Sequence, residues 1–182
     1  MTIFIAMLRG INVAGQNRIK MPELKALCEA LGLAHVVTYV QSGNLVFDSN
    51  AADAVQIARM IEAGIDRSLG LSVQVLIREA GQFRQIIAAN PFLTRPNVDL
   101  TKLHVTFLAT TPSAEAITAL GSTTDHADEF IPVGQEIYLS CPNSYGGTKF
   151  TNTFFEKKLG ITATTRNWNT VTALGGLAEE KR

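Results

Sequence analysis

The sequence predicts an α+β protein of two halves, each running β-α-β-β-α-β in a mainly antiparallel sheet, with a connecting helix between them and a C-terminal helix. Three observations lead there. Apolar runs of strand length alternate with helical stripes, Gly, Pro and Asn punctuate them, and no linker, charge block or low-complexity tract interrupts the 182 residues. The expected boundaries are 1–78 for the first half, 79–101 for the connecting helix and linker, and 102–182 for the second half with the C-terminal helix.

Residues 3–8 are a continuous apolar strand ending at Arg9-Gly10, and Pro22 suits the first turn of a helix that runs to Leu31 before Gly32 stops it. Strands at 36–40 and 45–48 flank Gln41-Ser42-Gly43-Asn44, whose Gly and Asn accept the positive φ of a tight hairpin. Asn50 can cap a helix over 51–69 carrying Val55, Ile57, Ile61 and Ile65, and Leu71–Ile77 reads as the next strand. Residues 79–89 form the connecting helix, ended by Asn90-Pro91. The order then repeats. A strand at 103–109, a helix introduced by Thr111-Pro112, and strands at 129–133 and 136–140 around Gly134-Gln135 follow in turn. Thr153 and Glu156 read as a capping box for a helix to Leu159, Gly160 ends it, and a strand at 161–166 leads into a last helix over 167–178.

Composition narrows the function classes. Sixteen Lys and Arg balance sixteen Asp and Glu, so no net charge draws the chain to nucleic acid or to an anionic membrane. The opening MTIFIAMLRG has no basic segment before its apolar run and is too short to span a bilayer, which reads as a cytoplasmic strand. Cys28 and Cys141 have no CxxC spacing, and Cys28 falls on the apolar stripe Leu24, Leu27, Leu31, so both read as inert thiols in reducing cytosol.

In a ferredoxin-like sheet of order 4-1-3-2 the first and second strands run parallel, so the loop after one and the hairpin after the other share an end. This gathers Arg9, Asn12, Gln16, Asn17, Arg18 and Lys20 near Gln41, Ser42 and Asn44. The same rule, applied to the third and fourth strands of the second half, brings the 142–151 loop with Tyr145, Lys149 and nearby Asn152 beside Arg166, Asn167, Trp168 and Asn169. Cations, a Gly146-Gly147 backbone and helix N-termini suit an anion, Trp168 offers a flat face, and the asparagines can read donors and acceptors. Against this stands the plain account in which the asparagines cap and the glycines turn.

Signatures of known chemistry fail. Gly10 and Gly15 have phosphate-loop spacing but continue Gln16-Asn17 where Lys-Ser/Thr is required, and there is no GxGxxG, HExxH or GxSxG. His104 reads as a packed or surface strand residue, His35 as a turn residue, and Asp125-His126-Ala127-Asp128-Glu129 as a solvated acidic loop rather than a metal site. No metal, no cofactor and no catalytic residue is assigned. RNA binding is disfavoured because both faces of the first strand are apolar, leaving no exposed aromatic platform.

At these same segments the chain resembles the uncharacterised bacterial family called domain of unknown function 1697, through LRGINVAGQNRIKM at 8–21, TYVQSGNLVF at 38–47, NPF at 90–92 and TTRNWNTV at 164–171. The loop before Lys149 resembles the family's pattern too, with Thr148 where a serine is commonly seen. The resemblance implies two ferredoxin-like halves and brings no activity and no catalytic residues. The expected function is therefore binding of a small anionic metabolite or nucleotide in a cleft bordered by the two clusters. The alternative is a noncatalytic protein-interaction module with an unknown partner.

Overall fold

The computed structural model describes residues 1–51, 53–123 and 127–181. The chain runs β1 (Thr2–Leu8), α1 (Met21–Ala30), β2 (Ala34–Tyr39), β3 (Asn44–Ser49), α2 (Ala54–Leu69), β4 (Val75–Glu79) and α3 (Ala80–Ala88). After two short 3-10 turns come β5 (Leu103–Leu108), α4 (Ala114–Ala119), β6 (Glu129–Val133), β7 (Glu136–Ser140), α5 (Asn152–Leu159), β8 (Ala163–Asn167) and α6 (Trp168–Glu179). This is a mixed α+β fold with two four-stranded antiparallel sheets, ordered β2-β3-β1-β4 and β6-β7-β5-β8. Among the described residues no helix is long and apolar enough to cross a membrane.

Two compact units result, Met1–Gln85 with Ala173–Arg182, and Ile86–Thr172. The division falls inside α3, and residues from Ala173 onward group with the first unit.

Within the first unit, Phe4, Ala6 and Leu8 of β1 share one buried face with Leu45, Phe47, Val75 and Ile77, under Leu24 and Cys28 of α1 and Ile57, Ile61 and Ile65 of α2. Each such isoleucine contributes about 1.5–3 kcal/mol of gross burial energy. The helices pack closely at Gly64, where a Cβ would stand 2.9 Å from Leu31 Cδ1 and push the leucine tip aside. The second unit's core is aromatic. Phe130 meets Phe150 and Phe155 edge-on at 4.8 and 5.5 Å, beneath a sheet that supplies Leu108, Ile137, Leu139 and Ala163.

Several local expectations are corrected. Asp53, not Asn50, caps α2, its carboxylate accepting from Val55 and Gln56 backbone N–H groups. Thr151, not Thr153, caps α5 by accepting from Phe154 N–H, while Glu156 reaches forward to accept from Ala163 N–H at 3.3 Å. The strand expected over 71–77 starts at Val75, since the antiparallel ladder with β1 ends at the Leu8–Val75 pair. Asn167 closes β8 and its side chain caps α6 through Thr170 N–H. His35 sits not in a turn but in β2, at an irregularity in its pairing with β3, where its φ is +50°. Asp125 and His126 lie outside the described residues.

Candidate functional site

Because β1 and β2 both run antiparallel to β3, their following loops emerge at one end of the first sheet. Leu8 N–H donates to Gly43 O at 2.9 Å, fixing that meeting. The loop between β1 and α1 is held in a form that few sequences adopt. Gly10, Asn12, Ala14, Gly15 and Asn17 all have φ between +47° and +78°. Asn12 organises it with one carboxamide: Nδ2 donates to Ile19 O at 2.9 Å and to Gln41 O at 2.7 Å, and Oδ1 accepts from Ile19 N–H. Asn17 Nδ2 donates to Gly10 O, and Asn44 Nδ2 donates to Tyr39 O and to Ser42 Oγ.

These asparagines were expected to orient a ligand, yet both donors of Asn12 and both of Asn44 are used on the protein itself. What the clamped loop presents outward is Arg18 and Lys20, both exposed and in no ion pair among the described residues. With Asn12, Gly15, Ile19 and Gln41 they line an open groove of about 470 Å³. Lys20 is also the N-cap position of α1 and gives its backbone no side-chain cap, so the helix's positive end is undercapped there. Arg9 lies at the end of β1, half-buried and partnered, its N–H bonded to Gln74 O.

The second cluster is assembled within its own unit, since β7 and β8 both run antiparallel to β5. Tyr145 stacks on His104 at 4.5 Å, and the hydroxyls of Thr106 and Thr165 lie 2.7 Å apart, Thr165 donating onward to Asn152 Oδ1 at 2.6 Å. Arg166 is buried. Its Nη1 donates to Thr164 Oγ1 at 2.8 Å and to Thr165 O at 3.0 Å. Burial pushes its guanidinium down to about 10, against the opposing pull of Tyr145, so it stays charged at neutral pH. Trp168 is 4% exposed, so its ring packs inside rather than offering a stacking face. Asn169 and Lys149 are exposed, and Lys149 borders a hollow of only about 130 Å³ with Asp128, Asn143 and Gly147. Cys141 is buried, which pushes its thiol up to about 11 and argues against a nucleophile. Among the described residues no group of three or more His, Cys, Asp or Glu side chains could hold a metal ion.

Reading the sequence missed that the exposed cations of the first loop, not its amides, face the groove. The signal was present in the alternation of Arg18 and Lys20 about the apolar Ile19, which buries itself and turns both neighbours out.

Fold and clusters define a mixed α+β protein with polar loop ends. The chain belongs to the family described as "Protein of unknown function (DUF1697)", whose model matches residues 1–138. The conserved bacterial protein SP0830 from Streptococcus pneumoniae has a similar structure, with a TM-score of 0.74 and 22% sequence identity, covering 97% of this chain and 98% of that one. That likeness concerns the fold. No curated protein matches the chain.

Proposed function

We propose that the groove between the 10–20 loop and the 41–44 turn binds a small anionic ligand, a metabolite or nucleotide carrying phosphate or carboxylate. The observation that carries this reading is the pair of exposed cations, Arg18 and Lys20, in no ion pair among the described residues, on a loop already fixed by Asn12. A preorganised loop loses little conformational entropy when a ligand arrives. The undercapped end of α1 adds partial positive charge beside Lys20. Gln41, exposed at the rim and held through its carbonyl, would set orientation. The reading takes each unit as a ferredoxin-like plait acting in the cytoplasm, in keeping with the sheet orders and with two buried thiols.

Calorimetric titration of wild type with inorganic phosphate, pyrophosphate, AMP and citrate tests it. Arg18→Ala and Lys20→Ala, both at exposed positions, should each weaken the best of these about tenfold, the loss of one charge-assisted hydrogen bond. Binding indifferent to both substitutions, or no binding by any of the four, overturns the proposal.

A further inference from the structure

At the other end of the first sheet, where β1 begins and β3 and β4 finish, we propose that Asp48 forms a binding site for a primary ammonium group that Lys181 now fills from within. Lys181 lies two residues past α6, and its side chain is only 13% exposed, unusual burial for a lysine. Its Nζ donates to the His35 carbonyl and stands 3.8 Å from Asp48 Oδ1. Asp48 Oδ2 is engaged by His35 Nδ1 at 2.6 Å. Oδ1 is buried and accepts no hydrogen bond among the described residues. A carboxylate oxygen withdrawn from water in this way calls for a donor, and Lys181 supplies charge without closing to hydrogen-bond distance.

The surroundings add a second carboxylate. An open pocket of about 470 Å³ borders Thr2, Ile3, Asp48, Glu79, Gly81 and Lys181. Met1 lines it too, so two carboxylates face two amines there, and Glu79 is exposed with no ion pair among the described residues. A primary ammonium has three donors, enough for the His35 carbonyl and Asp48 Oδ1 with one to spare for Glu79 or water. The ligand class is thus a small metabolite with an amine on a short alkyl arm, the same chemistry Lys181 carries. As a tethered group Lys181 competes at an effective concentration of about millimolar or more, so it acts as a built-in inhibitor of the site.

The test uses the full chain with n-butylammonium as probe and tetramethylammonium, which has no N–H donor, as a control at equal ionic strength. Lys181→Met keeps the alkyl stem and removes the competing charge. The variant should bind n-butylammonium at least tenfold more tightly than wild type, with a matching rise in melting temperature and a shift of the His35 imidazole resonances. Adding Asp48→Asn to that variant should abolish the response, and circular dichroism shows whether the double variant is folded. Should it not fold, the His35 resonances in the single variant decide alone. Equal responses of wild type and Lys181→Met, persistence of binding without the Asp48 charge, an equal effect of tetramethylammonium, or unmoved His35 resonances each overturn the proposal.

Discussion

Replacing Gly43 by alanine tests the idea that the two loops of the candidate groove meet through a contact only glycine allows. Gly43 has φ +81°, and a Cβ built there would stand 2.5 Å from Ile11 Cδ1, 2.9 Å from Ile11 Cγ1 and 3.0 Å from Leu8 Cβ. The Ile11 tip has little freedom to swing away, because Ile11 is 1% exposed, and Leu8 Cβ is fixed to the β1 backbone. Two penalties therefore add. Left-handed backbone costs an alanine about 1–2 kcal/mol, and overpacking a full site costs about 1–3 kcal/mol more. Gly10→Ala separates them, since Gly10 has φ +68° with nothing within 4 Å of its would-be Cβ, and should lose only the first. Urea unfolding followed by circular dichroism should place the Gly43→Ala midpoint about 0.5–1.5 M below that of Gly10→Ala, at a typical slope of about 2 kcal/mol per molar. Ile11→Val, which removes Cδ1, should recover part of the loss in the Gly43→Ala background while costing about 0.5–1.5 kcal/mol alone. Equal midpoints for the two glycine variants, with no coupling to Ile11, would refute the reasoning.

Two further outcomes follow from burial. Burial pushes the Cys28 thiol up to about 12, helped by neighbouring Glu29, and Cys141 up to about 11, so an aromatic disulfide reagent at pH 8 should label neither before the protein unfolds; fast labelling of Cys141 would contradict its reading as an inert thiol. Burial also lowers the pKa of His104 below its usual 6.5. The unfolded chain then binds the proton more readily than the folded one, so this contribution to stability is present above pH 6.5 and lost as pH falls toward the folded value. His104→Phe, which keeps a ring against Tyr145, should remove that loss; urea midpoints at pH 7.5 and 5.5 that change equally in variant and wild type would contradict it.

Much of the fold is legible in the residues because each half states its periods clearly. The hairpins at 36–48 and 129–140 follow from apolar alternation around turn residues, and the antiparallel order places the loop ends without any distance being known. Capping was read less well. Asn50 and Asp53 are both good N-caps, and the choice falls to the residue whose carboxylate meets Val55 and Gln56 N–H once α2 is docked by Ile57, Ile61 and Ile65. The candidate residues divide in the same way. Which side chains lie near one another was readable from strand direction, whereas the use each makes of its donors was not: a carboxamide reads identically whether it holds a ligand or, as at Asn12, the backbone of its own loop.

The linear order of residues thus determined the elements, their pairing sense, the burial of Cys28 and the ends at which polar groups gather, because these depend on local propensity and on the direction in which a strand must return. Tertiary packing alone decided that Asn12 spends its carboxamide on Ile19 and Gln41, that Trp168 and Arg166 are withdrawn from water, and that Lys181 stands 3.8 Å from Asp48 across 133 positions of sequence, the difference between 181 and 48. Those outcomes are set by competition among neighbours for space and for hydrogen-bond donors, and the competitors become known only when distant segments are brought side by side.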